Sequence, residues 1–320
     1  MTNEAHATPD ILHLATTQGP QKVATKHILV ETLQNVRRNR SAVAGLVIIG
    51  FLVFVALFAD QIATHDPIQT MIGQPGERGK LPAKAPCLTI YGCPDPQHVM
   101  GLDLNARDLF SRIVFGSRTS LLVGFTSVIF AISVGTLIGL VSGYAGGWTD
   151  NIVMRFMDVL LAFPSLLLAI TIVTIQGPGL QNALLAIAVV SIPVYARLIR
   201  ASVLAAKEME YVTAARSLGT PHLRIIFFQI LPNTLAPIIV QGTLGIGTAV
   251  LDAAALSFLG LGAQPPTPEW GQMLSEGRNY VFTAPHLVFF PGFAIMLTVL
   301  GFNLLGDGLR DALDPRLNRK

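Results

Sequence analysis

Charge is scarce in the second half of this chain, and where it gathers is informative. No charged side chain occurs between Val159 and Ala196, and the run Ile225–Leu251 is equally bare. Between these runs lies EMEYVTAARSLGTPHLRIIFFQILPN, residues 208–233, with Glu208, Glu210, Arg216 and Arg224 around a Gly-Thr-Pro break. Carboxylates and guanidiniums so placed can hold a partner by ion pairing. Catalysis finds no support beside them: there is no G-x-S-x-G elbow and no H-E-x-x-H helix, and the seven His are scattered between residues 6 and 286. A G-x-x-x-x-G-K-[ST] phosphate loop is absent too, so no nucleotide or other cofactor is expected in this chain.

Composition says what must position these groups. The chain is 51% hydrophobic and 13% charged over 320 residues, against about 25% charged in soluble domains. With a mean hydropathy of +0.56, a membrane protein is the expected class. A formal net charge of +3 with dispersed basic residues gives no reason to expect nucleic acid.

Six apolar spans can be read, each fitting a hydrocarbon core of about 30 Å. They are 41–59, 119 to about 141, two within 159–196 separated by the turn signal QGPGLQN at 176–182, 232 to about 256, and 287–306. Arg37, Arg38 and Arg40 beside the first span put the N-terminus in the cytoplasm. Alternation then puts 142–156, 197–231 and the C-terminal tail 307–320 on the same side, and the basic residues of 197–231 and the tail agree. The resulting divisions are a cytoplasmic tail (1–40), a first span (41–59), an outer segment (60–118), a core of five spans (119–306) and a second tail (307–320).

The outer segment holds both cysteines, Cys87 and Cys93, in CLTIYGC. On an external face they could close a disulfide around a short hairpin; two unrelated thiols are the other reading. A metal site is not expected, since His98 and Asp95 alone would have to complete it. Within 208–233, Tyr211, Ala214, Ala215 and Leu218 recur at i, i+3, i+4, i+7, Gly219 suits a helix end, and Thr220-Pro221 suits a new start. Two short helices meeting at a tight corner are expected there. The small residues Ala214, Ala215 and Gly219 would let another surface approach closely, and an interfacial lipid-bound helix is the competing reading.

The stretch YVTAARSLG…ILPN resembles the EAA loop of ABC importer permeases, with Ala214, Ala215, Gly219, Leu231 and Pro232 at the matching positions. Thr213 stands where that pattern has Glu, and Gln229 where it has Ile. GLDLNARDLFSRIVFGSRTSLLVG (101–124), GYAGGWTDNIVMRFMDVLLAFPSLLLAI (143–170), IPVYARLIRASVLAAKEMEYV (192–212), LDAAALSFLGLG (251–262) and PEWGQML (268–274) are similar to the dipeptide/oligopeptide permease subfamily. The likeness runs from about residue 41 to 318 and is weakest at 73–98.

The resemblance implies an all-α integral membrane protein with six transmembrane helices, the type I ABC importer permease fold, in a bacterial inner membrane. It makes about 208–222 a cytoplasmic coupling helix, with Glu208, Glu210, Tyr211, Ala214, Ala215, Arg216 and Gly219 as its ATPase-coupling residues. It further implies a second, related permease as heterodimer partner, two ATPase subunits that bind ATP and Mg, and an extracytoplasmic substrate-binding protein. Di- or oligopeptides are the implied solute; nickel or another small solute is the alternative within the subfamily. A gradient-driven carrier is the alternative from another class, and would need coupling-ion sites in the bilayer.

Several residues inside the spans are candidates by their chemistry. Asp252 lies deep in the fifth span without a charged neighbour in its helix, and is read as lining the pathway or pairing with a partner subunit. Gln241 and Asn303 are polar span residues that could take the same roles, with interhelical hydrogen bonding as the commoner use of such residues. Asp158 is expected to pair with Arg155, three residues before it. Pro164 and Pro193 are expected to kink their spans, and Gly135, Gly139, Gly143 and Gly147 to serve close helix packing.

Overall fold

The computed structural model describes residues 36–72, 82–86 and 98–313. Cys87 and Cys93 lie outside the described residues, so the disulfide expectation does too. The described chain is helical, without a named strand. Its main elements are α1 (Arg40–Leu57), α2 (Ala59–Ile62), α3 (Leu109–Ala145), α4 (Gly147–Ala162), α5 (Ser165–Gln176) and α6 (Leu180–Lys207). After these come α7 (Glu210–Ser217), α8 (His222–Ile225), α9 (Leu231–Phe258), α10 (Trp270–Gly277) and α11 (His286–Leu313). Among the described residues five helices are long and apolar enough to cross a membrane, six if α4 and α5 count as one broken span.

Three boundaries differ from the sequence expectation, each for a physical reason. The second span begins at Leu109, ten residues earlier than expected, so Arg112 and Arg118 belong to the helix. At 37 residues α3 is about 55 Å long, more than the bilayer needs, and its N-terminal end carries charge that faces protein. The third span is broken: α4 and α5 meet at a 92° bend at Phe163-Pro164, so Pro164 ends one helix and starts the next. The fifth span begins at His222, because α8 runs through a π-helical turn, Ile226–Ile230, into α9. Pro232 has no N–H to offer the carbonyl four residues back, and a widened turn just before it relieves that misfit.

Small residues set the helix spacing. α3 and α6 lie so close that a Cβ on Gly139 would sit 2.5 Å from the Ala196 carbonyl oxygen, and Gly135 and Gly143 meet Tyr195 and Val203 in the same way. Gly147 does not join them: it has open space around it and a φ of +55°, and with Gly146 makes the turn between α3 and α4. Pro193 sits inside α6 without interrupting it. Asp158 pairs with Arg197 of α6 at 2.5 Å and not with Arg155, because α4 lies against α6 and a cross-helix partner is in reach.

The end of the bundle at the start of α3 is held by buried polar groups. Arg112, fully buried, donates to the carbonyls of Pro67 and Pro266 at 3.1 and 3.2 Å and to Gln272 Oε1 at 3.3 Å. Its Nε lies 3.3 Å from Asp103, which also takes Arg107 Nε at 2.6 Å, while Arg107 reaches Glu276 at 3.1 Å. These contacts fasten the segment before α3 to α10, a buried helix between the fifth and sixth apolar spans. Trp270 anchors α10, its Nε1 donating to the Ile113 carbonyl at 3.0 Å.

Asp108 caps α3, accepting from Ser111 N at 2.8 Å, with His98 Nδ1 2.8 Å from its other oxygen. Burial pushes its carboxyl up, but hydrogen bonds from His98 and Ser111 outweigh that and hold it below 3.8. A depressed carboxyl stabilises the fold above its unfolded value and loses that contribution as pH falls through the folded one. Asp108→Asn keeps a capping oxygen but does not titrate. Thermal unfolding followed below pH 4 is therefore expected to be less acid-sensitive in the variant than in the parent; equal acid sensitivity would contradict the assignment.

Candidate functional site

The corner at 208–230 is built on buried aliphatic contacts. Val212 and Ala215 of α7 pack with Ile225, Ile230, Ile199, Val203 and Leu140. That face is covered by the chain's own helices and is closed to lipid. Ala215 is thus a packing residue, whereas Tyr211, Ala214 and Leu218 point outward. The corner itself is a helix-ending motif: Thr220 N–H bonds the Ala215 carbonyl at 3.1 Å and Gly219 N–H that of Arg216 at 2.9 Å. Gly219 has a φ of +74°, the left-handed conformation that motif requires.

The outward surface is charged at its start and apolar at its tip. Glu208, Glu210 and Arg216 are exposed, and Arg216 lies over the Tyr144 ring at 5.5 Å. Tyr144 Oη is 2.6 Å from His222 Nδ1, tying the end of α3 to α8. Tyr211 Oη accepts from Asn233 Nδ2 at 3.1 Å, tying α7 to the start of α9. Leu218 is 85% exposed at the tip, with Leu223 and Met209 also exposed. The sequence reading placed Leu218 on a helix face but not among the functional residues. An apolar residue next to a helix-ending glycine was the available signal.

This geometry separates two reasons for glycine at 219. A Cβ there would meet nothing within 4 Å, so any cost in the chain itself is conformational. Gly219→Ala is expected to lose about 1–2 kcal/mol, while Gly219→Asn, which tolerates left-handed backbone, should stay near the parent in thermal unfolding. Equal losses for both would show that conformation is not what selects glycine.

The span candidates do not form one site. Gln241 and Asp252 lie on one face of α9, eleven residues apart and so about 17 Å along the axis. Both are half-buried. Gln241 lines a groove of about 470 Å³ with Leu198, Pro237 and Arg310. Asn303 is exposed on α11. None of the three side chains hydrogen-bonds another described residue.

The arrangement of long apolar helices is that of a multi-pass membrane protein. A solved structure titled as an inward-facing conformation of the MetNI methionine ABC transporter superposes with a TM-score of 0.53 at 19% identity, over 64% of this chain and 98% of that one. Residues 135–319 match the family described as binding-protein-dependent transport system inner membrane component, and 29–78 match the N-terminal TM domain of oligopeptide transport permease C. The chain belongs to the binding-protein-dependent transport inner-membrane component family. It is 50% identical over 287 residues, 90% of each chain, to the dipeptide transport system permease protein of Alkalihalophilus pseudofirmus. The di/tripeptide transport system permease protein of Pseudomonas aeruginosa is 47% identical over 90% of this chain and 92% of its own. A glutathione transport system permease protein of Pectobacterium atrosepticum is 52% identical over 70% of this chain and 74% of its own.

Proposed function

We propose that this chain is the transmembrane subunit of an ATP-driven importer for di- and oligopeptides, forming part of the pathway for solute delivered by an extracytoplasmic binding protein. The observation that carries the solute class is the close likeness, over nine-tenths of the chain, to permeases named for dipeptides and di/tripeptides. The glutathione relative fits the same class, since glutathione is itself a short peptide. Nickel or another small solute is the less supported alternative, and a gradient-driven carrier less supported again.

In this reading the corner at 208–222 is the coupling element. Its tip meets a cytoplasmic ATPase subunit through Leu218 and the exposed Tyr211 and Ala214, with Glu208, Glu210 and Arg216 supplying charge at the rim. Ala215 and Gly219 act indirectly, by packing and by turning the chain. ATP and Mg bind in the two ATPase subunits. Because α8 continues into α9, a push on the corner passes along one helix into the bilayer. Both termini are cytoplasmic, and a second, related permease completes the pathway as a heterodimer.

The test is affinity purification of the tagged protein from its native membrane, followed by dipeptide uptake after reconstitution. Co-purification of a second permease and ATPases, with ATP-dependent uptake of dipeptide, is the expected result. Nickel uptake without peptide uptake would overturn the solute assignment, and uptake driven by a proton gradient without ATP would overturn the importer reading.

A further inference from the structure

We propose that the cavity between α4 and α6 binds a zwitterionic small solute, its ammonium on Asp158 and its carboxylate on Arg197 and Arg155. For the solute, a short peptide with free termini, the proposal rests on the peptide-import reading above. The cavity holds about 810 Å³ and is lined from both walls by opposite charges: Asp150, Arg155 and Asp158 on α4, Arg197 and Arg200 on α6.

These groups divide into a fixed pair and an open one. Asp150 is buried and saturated, taking Arg200 Nε at 3.0 Å and Nη2 at 2.6 Å, and Ser142 Oγ at 2.5 Å. It clamps the start of α4 to α6. Asp158 and Arg197 share a single contact of 2.5 Å, and both side chains line the cavity and are more than half exposed. Arg155, on the same wall, makes no ion pair or hydrogen bond with any described residue.

An exposed ion pair contributes little to stability, because water screens it, so exchanging its partners is easy. An incoming ammonium can replace Arg197 at Asp158. The incoming carboxylate then takes the released guanidinium together with that of Arg155, whose planar forks suit a carboxylate. When solute leaves, Asp158 and Arg197 pair again and no charge is stranded. A phosphate or other pure anion fits less well, since it would face both carboxylates. Arg197 lies ten residues before the end of α6, about 15 Å from the corner at 208. A solute held here is on the coupling side of the bend at Phe163-Pro164.

The test uses the assembled permease–ATPase complex in phosphatidylcholine nanodiscs without the binding protein, and saturation-transfer NMR of dialanine, N-acetyl-dialanine and dialanine amide. Dialanine is expected to give a signal, and each capped form one about tenfold weaker, the loss of a charge-assisted contact. Asp158→Asn should abolish the preference for a free amine, and Arg197→Gln the preference for a free carboxylate. Both side chains are exposed, and co-purification of the ATPases checks that each variant is assembled. No dialanine signal, equal signals from the three peptides, or unchanged preferences in the variants would overturn the site. So would loss of the dialanine signal when phosphatidylglycerol replaces phosphatidylcholine, which would assign the guanidiniums to lipid phosphate. Dipeptide uptake by the full transporter separates the two readings: uptake without a capping-sensitive signal rejects this site alone, and no uptake of any peptide rejects peptide import.

Discussion

Leu218→Asp is expected to abolish ATP-dependent uptake and release the ATPase subunits, while leaving the permease folded and inserted. The side chain is 85% exposed at the tip of the corner and supports nothing within the chain, so its loss should not move thermal unfolding. In a docked complex it would be covered. Losing the buried leucine and burying an unpaired carboxylate together cost about 3–4 kcal/mol, or a few hundredfold in docking affinity. Leu218→Ala, which loses only the apolar contact, should weaken docking less. Quantitative co-purification of the ATPases with parent and variant permease checks both. Undiminished co-purification with Leu218→Asp would remove the corner from the docking surface.

The second large effect is expected at the N-terminal end of α3. Arg112→Ala should destabilise the protein by about 3–5 kcal/mol, because removing one member of a buried ionic cluster strands its partners. Two carbonyls, those of Pro67 and Pro266, lose their donor, and Asp103 loses one of its two guanidiniums. Arg118→Ala is the matched control. Arg118, with its side chain 36% exposed, pairs with Asp60 at 2.8 Å and donates to the Ala56 and Leu57 carbonyls, and because water can reach these groups its loss should cost only about 1–2 kcal/mol. Thermal unfolding in detergent reads both, and protease sensitivity of 98–108 and 263–286 reports whether this end has come loose. Equal shifts for the two variants would mean that burial does not set the difference.

The apolar spans and their order were legible because hydrocarbon demands long uncharged runs, and few other structures use them. What escaped the pattern was charge inside helices. Arg112 and Arg118 read as loop residues, yet they extend α3 because carboxylates and carbonyls distant in sequence receive them. Asp158 paired across helices with Arg197 for the same reason: nearest-neighbour spacing cannot show which helix lies alongside. Pro164 was recognisable as a kink but not as a 92° bend that ends one helix and starts another. At the corner, Gly219 and its helix end were readable from residue type alone. Which face of α7 is outward was not, since Val212 and Ala215 turn inward only because Ile225 and Ile230 are there to meet them. The short α10 stayed hidden because its anchor, Trp270, is buried against α3 through contacts far apart in sequence.

The most direct test of the account is ATP hydrolysis by the reconstituted transporter, parent and Leu218→Asp, with and without peptide-loaded binding protein. Hydrolysis that rises with loaded binding protein in the parent and does not respond in the variant is the predicted result. Equal stimulation in both, or peptide uptake that continues on a proton gradient without ATP, would contradict it.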